Sequence, residues 1–254
     1  MKRLLGWLLA LIVLGVLFVV IVAATLPAAT AYRYAEPSLQ PLRLQGIEGS
    51  LWSGRATQVS AYALPLGELR WTLDPWAAVG LRARGEMALS GRDLTASTRI
   101  DATRDRMLLQ DVAARMPANI LAPALDIPSL VLLGEIDLKL AALELRAGQL
   151  QAASGVLTWR QAGVSGAAEA RFSDLVVTFS SPRDGLIEGV VSDDGGTLDA
   201  SGSVTIERER FRAEVRLAVR GEDPHLAEAL RYVGERTADG SSLLRVEGTL
   251  RKLF

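Results

Sequence analysis

From residue 68 onward the chain alternates apolar and polar side chains with a period of two. Leu69, Trp71 and Leu73 interleave with Glu68, Arg70, Thr72 and Asp74, and Leu81, Ala83, Gly85, Met87 and Leu89 with Arg82, Arg84, Glu86 and Ser90. Ile136, Leu138 and Leu140, then Leu175, Val177 and Phe179, continue the pattern. Leu198, Ala200, Gly202, Val204 and Ile206 keep it without a fault, as do Phe211, Ala213, Val215, Leu217 and Val219. Such alternation marks strands with one face on a core and one in water. Asp184-Gly185, Asp194-Gly195-Gly196 and Asp239-Gly240 supply the tight turns between them, because these pairs tolerate the positive φ of hairpin loops. The pattern predicts an all-β domain built as an antiparallel meander, a curved sheet.

Three stretches depart from that period. Leu4–Leu26 is an uncharged run of 23 residues. As a helix it would extend about 34 Å, enough to cross the roughly 30 Å hydrocarbon core of a bilayer with some tilt. Lys2 and Arg3 precede it, so the N-terminus is expected in the cytoplasm and the rest of the chain beyond the membrane. A cleaved signal peptide, suggested by Ala29-Thr30-Ala31, is the alternative, but its apolar region would be about 7–15 residues. Between Asp101 and Pro128 the spacing of Met107, Leu108, Val112 and Met116 suggests a helix or irregular crossover, interrupted by Pro117, Pro123 and Pro128. Asp223-Pro224 predicts an N-cap and the first turn of a short helix through about Gly234, with Leu226, Leu230 and Val233 as its buried stripe.

Composition then removes most chemistries. Basic and acidic residues nearly cancel, 28 against 29, without a basic block for nucleic acid. The sequence has no cysteine and a single histidine, His225, so disulfides, thiolate metal sites and most histidine triads are excluded. Trp52-Ser53-Gly54 fails the G-x-S-x-G elbow, since Leu51 and Arg55 stand where glycines are needed. Asp193, Asp194 and Asp199 do not match a calcium loop and read as turn residues. No catalytic, cofactor or metal residue is assigned. The residues singled out are structural: Gly49, Trp52 and Gly54 around a bend with Trp52 as a core plug, Trp71 and Trp159, and the turn glycines Gly195 and Gly196. Gly67-x-Leu69-x-Trp71 and Gly155-x-Leu157-x-Trp159 echo each other, which raises two half-sheets of similar plan.

The chain resembles the type II secretion system protein N family (general secretion pathway N subunit). The likeness is carried by the anchor ending Leu26-Pro27-Ala28, the segments 49–56 and Leu69-x-Trp71-x-Leu73-x-Pro75, then residues 155–162, and finally Asp194-Gly195-Gly196-x-Leu198, Leu226–Leu230, Asp239-Gly240 and Gly248-x-Leu250. The resemblance implies a single-pass inner-membrane protein with a periplasmic β domain, a non-enzymatic part of the machinery that exports folded proteins. On that basis residues 1–3 are expected as a cytoplasmic tip, 4–26 as the membrane segment, 27–45 as a linker and 46–254 as the β domain. If the echo is a repeat, that domain divides at 46–116 and 130–254. The expected partners are the secretin and the inner-membrane platform. A membrane-anchored module that binds or transfers lipid is the alternative, favoured by a continuous apolar groove.

Overall fold

The structure, a computed structural model, describes residues 25–40, 42–61, 64–121, 130–166, 170–208, 210–230 and 234–249. Fifteen strands form one antiparallel sheet among these residues. The first half is β1 (Leu42–Gly49), β2 (Ser53–Ala61), β3 (Leu64–Leu73), β4 (Ala83–Ser90), β5 (Thr95–Ala102) and β6 (Arg106–Pro117). A long hairpin follows, β7 (Leu130–Arg146) and β8 (Gln149–Gly166). The remainder is β9 (Ala170–Arg171), β10 (Leu175–Arg183), β11 (Leu186–Asp193), β12 (Leu198–Glu207), β13 (Arg210–Val219), β14 (Glu235–Arg236) and β15 (Ser242–Thr249). Each strand pairs with the next, except that β9 adds to β8 from the side and β15 lies between β13 and β14. The expected meander is what forms.

Among the described residues three short helices punctuate the sheet: α1 (Ala28–Leu39), α2 (Pro75–Val79) and α3 (Pro224–Ala229). Where a linker is expected after residue 27, α1 forms, with Pro37 near its end, and β1 starts at Leu42. The Asp223 cap expected from the sequence forms, and Asp74 caps α2 in the same way, where a turn is expected after the strand. Asp74 Oδ1 accepts from Trp76 N at 2.9 Å and Asp223 Oδ1 from Leu226 N at 3.0 Å. Among the described residues no helix is long and apolar enough to cross a membrane. Residues 1–24, which hold nearly all of the Leu4–Leu26 run, lie outside them, as do 122–129 and Val233.

The stretch after Asp101 is a correction. It continues the sheet as β6, followed among the described residues by a 3-10 turn at Ala118–Leu121. Asp111 takes φ +48° and is an extra residue against β5, where Ser97 faces Ala113 but Arg99 faces Gln110, so Leu109 and Val112 lie on the same side. A β-bulge of this kind inserts one residue and makes apolar positions recur at three, which mimics a helix. With β6 paired to both β5 and β7, the two halves are one continuous sheet.

The best-filled part of the core sits at one end of the sheet. Leu226 of α3 and Leu230, its C-cap, pack with Leu132, Ile136 and Val164 of β7–β8 and with Leu198, Ala200 and Leu217 of β12–β13. These strands are not neighbours in the sheet, so the sheet must bend to bring them around α3. Ile187, 1% exposed and paired with Ile206, is among the most enclosed side chains. Three residues on, Val190 points to the other face and is 64% exposed. Ile187→Ala should therefore destabilise by about 2–4 kcal/mol, while Val190→Ala should stay within about 0.5 kcal/mol of the parent. Urea unfolding followed by tryptophan fluorescence checks both.

Candidate functional site: an apolar face and two unequal edges

The registers align the apolar positions across the whole sheet. Ile47 faces Ala56, and the row continues through Leu69, Leu89, Ala96 and Ala114 to Leu138 of β7. From there it passes through Leu157, Val177, Val191, Gly202 and Val215 to Leu244 of β15. Directly opposed residues on neighbouring strands share a face, so this is one uninterrupted apolar line over thirteen strands. At about 4.8 Å per spacing it measures roughly 58 Å along the sheet. A second line runs beside it over eight strands, from Val112 through Leu140, Gly155 and Phe179 to Val246. Apart from Ala56 and Val191, every member of the first line is only half-buried. Among the described residues, no second sheet covers this face.

The opposite face is a lattice of cross-strand ion pairs. Arg55 bonds Glu48 at 2.7 Å, Arg106 bonds Glu144 at 2.7 Å and Arg212 bonds Glu247 at 2.7 Å. Such exposed pairs contribute little stability individually; here they keep one side of a wide sheet wet. Asp137 is the buried exception and is held by Arg160 at 3.0 Å and Arg115 at 3.3 Å.

The residues singled out from the sequence fall into three places. Gly49 pairs with Gly54 at the β1–β2 turn. Trp71 lies across Gly54: a Cβ there would stand 2.5 Å from Trp71 Cζ2 and 2.6 Å from the Glu48 carbonyl. Trp71 Nε1 donates to the Leu51 carbonyl at 3.1 Å, and Trp52, itself half-buried, accepts from Leu73 N at 2.6 Å through its backbone. Trp159 makes the matching bond at the other end of the sheet, Nε1 to the Leu133 carbonyl at 2.7 Å, with Phe172 edge-on at 6.4 Å. Leu69 and Leu157 of the sequence echo sit in the same apolar line, but β3 and β8 run in opposite directions, so their tryptophans point to opposite ends. Gly195 and Gly196 form the β11–β12 turn, where Asp193 accepts from Gly195 N at 2.7 Å and Arg220 Nη1 donates to the Gly196 carbonyl at 2.9 Å. His225 begins α3.

Asp193 does the work the acidic cluster hinted at, as a structural tie. It also accepts from Ala200 N at 3.0 Å and from Arg220 Nη1 at 2.8 Å. The Arg220 guanidinium above all, aided by the two backbone amides and against the effect of burial, holds its carboxyl down at about 2. Asp239 is likewise held well below the usual carboxylate range, by the Thr237 and Ser241 hydroxyls.

The two edges of the sheet are unequal. On the β1 side, Leu44 N donates to the Tyr32 hydroxyl of α1 at 3.1 Å and Pro27 bridges Ser50. On the other side, the pairing described beyond β15 is limited to Glu235 with Leu243 and Arg236 with Ser242. Neither edge was legible from alternation, which fixes faces and not neighbours.

The family model of type II secretion system protein N matches residues 40–245, from just before β1 into β15. No curated protein and no solved structure matches the chain.

Gly54→Val should force Trp71 off its site, lower stability by about 1–3 kcal/mol and reduce the near-UV circular dichroism of tryptophan. Asp193→Asn should lower stability at pH 7 by on the order of 2 kcal/mol. Because the folded carboxyl titrates at about 2, below its unfolded value, its contribution is complete above about pH 4 and lost as pH falls through about 2. The gap between variant and parent should close over that window in acid-unfolding titrations.

Proposed function

The chain belongs to the type II secretion system protein N family, and from that premise we propose that it is a non-enzymatic connector. Leu4–Leu26 holds it in the inner membrane with the N-terminus in the cytoplasm, and the β domain stands in the periplasm between the inner-membrane platform and the outer-membrane secretin. The observation that carries this reading is the difference between the two edges. A strand edge left open presents backbone N–H and C=O groups to which another chain can add a strand. Leu44 N of β1 is bonded to Tyr32 and Pro27 bridges Ser50 just past its end, whereas among the described residues β15 meets β14 at two residues. Arg245 and Glu247, exposed on β15, add charge that selects among partners.

A second reading is favoured by the uncovered apolar line. A half-buried apolar face about 58 Å long suits acyl chains laid across the strands, which would make the domain a lipid-binding module of the same machinery.

The two separate by position. With p-benzoylphenylalanine placed in cells at Arg245, on the β15 edge, or at Leu89, in the apolar line, adducts are identified by mass spectrometry. The connector reading expects type II secretion subunits on Arg245. Phospholipid adducts at Leu89 with no protein adduct at Arg245 would replace it by the lipid reading.

A further inference from the structure

The β3–β4 connection carries three large apolar side chains that the fold does not use. Trp76, Val79 and Leu81 are 83%, 81% and 87% exposed, and none of the residues of α2 is buried. They are not loosely held. Asp74 caps α2, Asp74 N donates to the Arg84 carbonyl at 2.7 Å, and Arg82 N closes onto the Ala77 carbonyl at 3.1 Å. Arg82 and Arg84 both reach Asp101 on β5, at 2.8 and 3.3 Å. Leu81 is kept at φ +55°, a backbone region that branched side chains avoid, while its side chain packs against nothing that would reward it. Strain of that kind at an exposed apolar tip is a reason to look for a function.

The position of this tip is informative. The Leu26 carbonyl, at the last residue of the apolar run, accepts from Leu51 N at 2.9 Å. The Trp52 carbonyl in the same β1–β2 turn accepts from Leu73 N at 2.6 Å, one residue before the Asp74 cap. The exit of the apolar run and the α2 tip are therefore hydrogen-bonded to one turn, at one end of the sheet. Leu64 and Val131, exposed at the starts of β3 and β7, lie at the other end.

We propose that the α2 tip is a second membrane contact: Trp76, Val79 and Leu81 insert into the interface of the bilayer that Leu4–Leu26 crosses. This rests on the reading of Leu4–Leu26 as a membrane segment. The chemistry suits a lipid surface, because an indole sits well at the headgroup level and aliphatic side chains just beyond it reach the acyl region. The contact would stop the domain from swinging about a single tether. It would stand the sheet with its α2 end on the membrane and its α3 end outward.

The chain has no cysteine, so one can be placed at will. The full-length protein is labelled with a nitrobenzoxadiazole dye at Val79→Cys, at Gly15→Cys within the apolar run, or at Ala238→Cys, exposed in the β14–β15 turn at the opposite end. Each is reconstituted into phosphatidylethanolamine–phosphatidylglycerol liposomes containing phospholipid with a nitroxide on the acyl chain near the headgroup. The expected result is strong quenching at Gly15 and Val79, at least threefold more than at Ala238. In the Val79→Cys background, Trp76→Ser with Leu81→Gly should lower that quenching at unchanged circular dichroism. Quenching at Gly15 with Val79 no different from Ala238 overturns the inference and leaves the membrane reading intact. An unquenched label at Gly15 overturns the membrane reading and the inference with it.

Discussion

The structure depends on register. In a strand, successive side chains alternate faces, so a slip of one residue would turn an entire strand's apolar set to solvent. Thirteen strands hold the line from Ile47 to Leu244 without such a slip, although the chain is not regular along the way. Bulges interrupt the pairing at Asp111 opposite Thr98, near Gly134 and near Leu140. Each adds a residue on one strand and is absorbed locally, leaving the apolar positions on both sides of it on the same face. Bulges also bend and twist the strand that carries them. The irregularities that look like faults in the alternation thus serve the curvature that lets β7–β8 and β12–β13 meet around α3.

That curvature is incomplete as a solution to burial. A sheet with one apolar face ordinarily packs it against a second layer. Here α3 supplies a plug at one end, where Leu226, Leu230 and Leu198 are nearly enclosed, and among the described residues no second layer covers the rest of the face. The half-buried state of Leu69, Leu89 and Ala96 follows directly. Small residues in the line, Ala56, Ala96, Ala114 and Gly202, reduce the apolar area that stays wet and let the strands curl closely. The ion pairs on the outer face make the other side of the sheet unambiguously aqueous.

Much of this is legible in the sequence because the information is local. Alternation names the strands, the Asp-Gly pairs name the hairpins, and Asp223-Pro224 names the start of α3. The order of strands follows once every connection is short. What alternation does not carry is whatever depends on one extra residue or on a non-local neighbour. The bulge at Asp111 places Leu109 and Val112 three apart on one face, and a strand then reads as a helix. Trp52 reads as a core plug from its glycine-rich surroundings, yet it is Trp71, nineteen residues on, that lies over Gly54 and bonds the Leu51 carbonyl. Gly195 and Gly196 were marked by the turn they form, but the tie that fixes that turn, Arg220 on Asp193, comes from the far end of β13.

A meander of this length has few places for contact with other molecules. Every connection falls at one of two ends, the polar face is occupied by its own ion pairs, and the remaining surfaces are the apolar face and the two edges. At one edge, α1 bonds Leu44 N of β1 through Tyr32 and Pro27 bridges Ser50 just past the strand, so addition of a foreign strand there would compete with the segment that leads to the apolar run. At the other edge β14 meets β15 at two residues, and the residues that face outward from β15 are charged, which discourages indiscriminate pairing while leaving room for a partner with matching charge. The ends differ in the same sense. The α3 end is filled by the core, and the α2 end carries exposed Trp76, Val79 and Leu81 beside Leu26. The chain distributes its surfaces asymmetrically in both directions of the sheet, along the strands and across them. A body with equivalent edges and ends would have no reason to face one way, and this one has a distinct surface for each direction.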